Sequence, residues 1–129
     1  MSLSTMISLH PDVNGEVNET LATAARHAML CSLFCTSCAD ACAAEQMDMR
    51  SCIRTCLDCA DVCAASARLM VRRASQDIEM LRAQIETCIR ACEICAAECE
   101  RHGHEHCKLC ATMCRECASD CRAALPTVR

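Results

Sequence analysis

Seventeen of the 129 residues are cysteine, and their spacing is regular. Cys31, Cys35, Cys38 and Cys42 step by four, three and four. The same steps recur at Cys52, Cys56, Cys59 and Cys63, and again at Cys88, Cys92, Cys95 and Cys99. A fourth block, Cys110, Cys114, Cys117 and Cys121, is preceded three residues earlier by Cys107. Thiolate sulfur is a soft donor, and soft donors select Cu(I), zinc and iron–sulfur clusters. Thiolates four apart on a helix lie one turn apart, close enough for a two-coordinate ion to bridge them. Each block holds two such pairs, with Cys107 unpaired. Charge narrows the choice further. A thiolate in a low-dielectric interior is costly unless neutralised. One monovalent ion per thiolate leaves the interior neutral, whereas zinc bound by four thiolates leaves two negative charges behind. Zinc also favours tetrahedral sites, commonly built on Cys-x-x-Cys turns rather than mid-helix stripes. The cysteines are therefore expected to hold many Cu(I) ions, each displacing about one proton.

Steps of three and four keep residues on one face of an α-helix, which turns once in about 3.6 residues. Each block predicts a helix with a sulfur stripe, and four such helices with stripes inward give the expected fold. That fold is all-α, an antiparallel up-down-up-down four-helix bundle with a cysteine-lined core. Residues 1–13 read as a flexible leader and 14–129 as one domain. Asn14 or Asn18 is expected to cap the first helix, which runs to about Glu45; Asp48 is expected to cap the second, which continues to Arg72 and Arg73. A turn follows, with Ser75, Asp77 and Glu79 suited to the start of the third helix. That helix carries Ile78, Leu81 and Ile85 on the seam and ends at Gly103. The fourth starts near His104 to His106 and stops at Pro126. CIRTCLDCADVC and CIRACEICAAEC repeat one another, consistent with duplication of a helical unit.

This topology gathers Cys42, Cys52, Cys99 and Cys107 at one end, beneath short connections. Beyond the sulfur zone at the other end, Leu21, Ala24, Met70, Leu81, Ile85 and Leu125 are expected to form an apolar plug. Met49 lies one seam step before Cys52, His102 one step past Cys99 and His104 one step before Cys107; Met47 and His106 are nearby. Thioether and imidazole both accept copper, so Met49, His102 and His104 join the cysteines as expected ligands at the open mouth. His27, one turn before Cys31, reads as a structural or surface histidine.

Composition excludes several classes. The formal charge of −4 and the lack of a clustered basic face argue against nucleic acid. No uncharged apolar run approaches the ~20 residues that span a bilayer, so no membrane partner is expected. A disulfide scaffold is disfavoured because the cysteine count is odd and because bridges within one helix close no long loop. No export signal is visible at the N-terminus, which points to the cytoplasm, where thiols stay reduced. No nucleophile–base pair is recognisable, so no enzyme is expected.

The four C-x₃-C-x₂-C-x₃-C blocks resemble the bacterial copper storage proteins, cysteine-lined four-helix bundles that accumulate Cu(I). The likeness spans about residues 17 to 125 and is greatest to the cytosolic branch. The resemblance implies a homotetramer and a loading end carrying His and Met. An alternative is an iron–sulfur or redox electron carrier, although the C-x₂-C-x₂-C-x₃-C-P run is absent. Another is a zinc or metallothionein-like buffer.

Overall fold

Five α-helices and a closing 3₁₀ turn make up the computed structural model, with no strand among the described residues, 1–72 and 77–129. The elements are α1 (Leu3–Ser8), α2 (Glu19–Ala44), α3 (Arg50–Met70), α4 (Ile78–Glu100), α5 (Glu105–Ala124) and the 3₁₀ turn Leu125–Thr127. Each long helix packs against the one before and the one after, and α5 returns to α2, closing a ring of four. Sulfur contacts give the relative directions. Cys52 near the start of α3 meets Cys99 at the end of α4 at 3.8 Å, and Cys63 near the end of α3 meets Cys88 in α4 at 3.8 Å. Cys88 in turn meets Cys121, near the end of α5, at 3.9 Å.

The helix boundaries follow local chemistry, with instructive departures. Asn18, not Asn14, caps α2, its side chain accepting from the Leu21 amide. Asn14 and Gly15 both take positive φ, 50° and 82°, and form the turn that leads into the helix; the glycine bears this without strain. Met49 occupies the cap position of α3, while Asp48 accepts from the Arg50 amide and pairs with its guanidinium. Asp77 caps α4 through the Met80 amide. The expected turn residues Arg73 and Ser75 lie outside the described residues, but α3 ends at Met70 and α4 begins at Ile78. Gly103 does not end the third long helix: α4 stops at Glu100, Arg101 and His102 make the turn, and Gly103 has no positive φ. Pro126 sits inside the terminal 3₁₀ turn, immediately after α5.

The leader is more ordered than its composition suggests. Residues 3–8 are helical, Ser2 caps them, Leu3 packs against the core and Val13 is buried. By length and mean hydropathy α2 is apolar enough to cross a bilayer, a property shared by core helices of soluble proteins, although Arg26 and Asp40 interrupt its apolar run. Its cysteine-bearing face is buried in the ring, against α3 and α5.

The core has two zones. One end is hydrocarbon: Leu21, Ala24, Met70, Leu81 and Ile85 are buried there, joined by Val128, with Leu125 packed against them. Arg82 donates to the carbonyls of Leu125 and Val128 at 2.9 and 2.8 Å, and Asn18 donates to Thr127, so the chain's last turn is tied over this end. Ile78, expected on the seam, is exposed, because it is the first residue of α4 and lies beyond the reach of the plug. The rest of the core is sulfur.

Candidate metal centre

All seventeen cysteines are buried and none forms a disulfide. A helical stripe brings sulfurs one turn apart: Cys31 and Cys35 are 3.9 Å apart, Cys52 and Cys56 4.0 Å, Cys59 and Cys63 3.7 Å, and Cys95 and Cys99 4.0 Å. Packing adds contacts of equal closeness between helices. Cys63 and Cys92 are 3.5 Å apart, Cys31 and Cys114 3.7 Å, Cys35 and Cys114 3.7 Å, and Cys56 and Cys99 3.7 Å. Cys35 on α2 even reaches Cys95 on α4, across the ring, at 3.9 Å. The interior is thus sulfur in close contact, within and between helices.

These contacts link into groups that share members. Cys31, Cys59, Cys63 and Cys92 form one, and Cys31, Cys35, Cys59 and Cys114 another. Cys35, Cys95, Cys110 and Cys114 form a third, and Cys38, Cys52, Cys56 and Cys99 a fourth, with donor atoms in each within 4.8 Å of one another. Separate tetrahedral zinc sites would each need four sulfurs of their own. Here Cys31, Cys35, Cys59 and Cys114 each belong to two of these groups, so ions in neighbouring groups would share bridging thiolates. With metal–sulfur bonds of about 2.3 Å, two sulfurs on opposite sides of one ion stand up to about 4.6 Å apart. Sulfurs at 3.5–4.0 Å therefore need to part by roughly an ångström or less, within reach of side-chain rotation.

Burial raises the pKa of three of the thiols nearest the mouth. It pushes the thiols of Cys42 and Cys52 up, and that of Cys107 to about 12. At neutral pH these mouth cysteines are thiols, and binding a metal means expelling their protons.

At the mouth the expected residues divide. Met49 is buried among the core side chains. His102 turns its Nε2 to Glu98, 2.8 Å away, and His104 lies 3.3 Å from Glu45 and stacks on His106 with ring centroids 5.4 Å apart. Met47 is exposed. The histidine that reaches sulfur is His106, which the seam spacing from Cys107 does not single out as a ligand. Its Nδ1 is 3.4 Å from Cys38 and 3.6 Å from Cys107, and its Nε2 is 2.8 Å from Glu45. Cys38, Cys42, His106 and Cys107 form a further donor group, so Cys107 is not isolated. The signal for His106 was its place four residues before Cys110, on the same seam. Its hydrogen bond with Cys38, and then that with Glu45, raises the imidazole pKa, and the His106 bond in turn holds the Glu45 carboxyl below the usual range.

The profile of a protein family described as copper storage protein (Csp) matches residues 17–126, the span that contains every cysteine. The chain belongs to the copper storage protein family. Solved structures agree. A copper storage protein, Ccsp, from Streptomyces lividans, loaded with 10 copper equivalents, superposes with a TM-score of 0.92 at 38% identity, covering 97% of this chain and 98% of that one. A structure of a cytosolic copper storage protein from the same organism, described as copper loading with five coppers, gives a TM-score of 0.82 at 41% identity, covering 84% and 93%. A search of curated proteins gave no match.

Proposed function

We propose that this protein stores and sequesters Cu(I) in the cytoplasm, as many ions per chain, on the thiolates of its core. The observation that carries this reading is the continuous run of buried free sulfurs with shared donor groups, from Cys52 and Cys99 at one end to Cys88 and Cys121 at the other. Family membership and the copper-loaded Streptomyces relatives support it, and the cytosolic description of one relative supports the compartment. The four long helices act as an antiparallel up-down-up-down bundle over residues 14–129, to which the first thirteen residues are strapped. The family also favours storage over catalysis, and resemblance to it a homotetramer; neither nucleic acid nor a membrane is a partner in this reading.

The seventeen cysteines are the ligands, with Met49, His102 and His104 lining the route in. His106 is added to them, as the imidazole in contact with Cys38 and Cys107. The plug end offers an arriving ion only hydrocarbon, so filling proceeds from the mouth. Anaerobic titration of the reduced protein with Cu(I) tests the proposal. Uptake near the seventeen cysteines is expected. Saturation at about four ions or fewer would overturn storage in favour of discrete zinc or cluster sites, the number that four-thiolate sites allow.

A further inference from the structure

Outside the sulfur core, one group of donors of a different kind is brought together by packing alone. His27 on α2 turns its Nδ1 to the Asp120 carboxylate on α5, in close contact, and lies 3.8 Å from Glu116 Oε1. Glu116 and Asp120 are four residues apart on α5, so their carboxylates share one face and repel. Among the described residues His27 is the partner that the ion pairs give to either carboxylate, and neither has a Lys or Arg within salt-bridge distance. The nearest basic residues in sequence are engaged elsewhere, Arg115 with Glu100, Arg122 with Glu93 and Arg26 with Thr23. With a neutral imidazole the group carries two negative charges, which one divalent ion would cancel.

We propose that His27, Glu116 and Asp120 form a second metal site on the outer α2–α5 face, taking a divalent cation of Zn(II) type. One imidazole and two carboxylates are a borderline-to-hard donor set, unlike the soft buried thiols of the neighbouring Cys31, Cys117 and Cys121. Three protein ligands with a fourth position left to water is a common zinc arrangement. With ligand bonds of about 2.1 Å, tetrahedral donors stand about 3.4 Å apart. The 3.8 Å between His27 and Glu116 is near that figure, and the ion replaces the proton between His27 and Asp120. The side chains of His27 and Asp120 are each 27% exposed, enough to admit an ion from solvent and leave room for its water. The protein would then sort metals by hardness, divalent ions outside and monovalent copper within.

The test is equilibrium dialysis of the full-length protein, pre-treated with excess Cu(I) under anaerobic conditions, against micromolar Zn(II). Other zinc, at the mouth histidines or on unfilled thiols, is common to all samples and cancels in the comparison. Wild type is expected to retain one zinc ion per chain more than His27→Ala and more than Asp120→Asn, with Cu(I) uptake the same in all three. Zinc should also raise the melting temperature of wild type by more than that of either variant. Asp120→Asn keeps the side-chain shape, so it reports on the ligand even where His27→Ala disturbs packing. Equal zinc in all three proteins would overturn the site and leave a cross-helix ion pair only.

Discussion

The two ends of this molecule are closed by different matter. At one end Leu81, Ile85, Met70 and Val128 pack as hydrocarbon, and Arg82 ties the C-terminal turn across them. At the other, Cys38, Cys42 and Cys107 meet an imidazole, and His102, His104 and His106 pair with Glu98 and Glu45. The plug is buried and the histidines of the mouth are half-buried, and the two ends respond in opposite ways to an arriving ion. Hydrocarbon gains nothing from a cation and loses packing if parted. Thiol and imidazole exchange a proton for it. The difference separates the part of the molecule that makes it fold from the part that makes it fill.

That separation can be broken most forcefully at the plug. Leu81→Ala removes a side chain only 1% exposed, and a core truncation of this kind costs about 2–5 kcal/mol. Chemical denaturation of the metal-free protein should show that loss, while Cu(I) capacity stays at the wild-type value. A fall in capacity would mean that the two zones are not independent. The metal-free protein itself should be largely helical by circular dichroism, since the plug and caps need no metal.

The sulfur zone should answer the other way. Cys114 touches Cys31 and Cys35 and belongs to two donor groups. Cys114→Ser keeps the shape but replaces a soft donor with a hard one, and should lower capacity by one or two ions. Its stability cost should be smaller than that of Leu81→Ala, about 1–3 kcal/mol, the cost of burying a hydroxyl without full compensation. Titration and denaturation on the same preparation read both effects.

Replacing Met49, His102 and His104 together should leave capacity almost unchanged and slow uptake from a weak Cu(I) donor. His106→Ala should add to the slowing and weaken the first ions bound, because it alone of these histidines touches sulfur in the structure. Stopped-flow uptake decides between them. Rates equal to wild type in the triple variant would make those residues a polar rim.

The smallest effect is in pH. The His106 pKa is raised by Cys38 and Glu45, so its interactions favour the folded state fully below the unfolded imidazole pKa, about 6.5, and fade as pH rises through the raised folded value. Glu45, held low by His106, contributes above its unfolded pKa and loses that contribution as pH falls through its lowered value. The pairing is therefore strongest between the two ranges. An NMR titration should place His106 above the ordinary imidazole value, and Glu45→Gln should bring it back toward that value.

The sequence alone determined which faces turn inward. Steps of three and four placed all seventeen cysteines on buried stripes and identified Leu81 and Ile85 as plug residues, and residue type offered Asn18 alongside Asn14, and Asp77 alongside Ser75 and Glu79, for the helix starts. These are local consequences of helical period and of side chains that satisfy nearby amides, so they are legible one helix at a time. Tertiary structure alone decided what each face meets. The sulfur contact of Cys35 with Cys95 across the ring, the sharing of Cys31 and Cys114 between groups, and the choice of His106 over its neighbours depend on how four helices are rotated and shifted against one another. His27 is the plainest case, since it reads alone as a structural or surface histidine without a named partner and finds two carboxylates from a helix some ninety residues away. Periodicity fixes an angle about one axis, but the distance between two axes is set only when their side chains interlock.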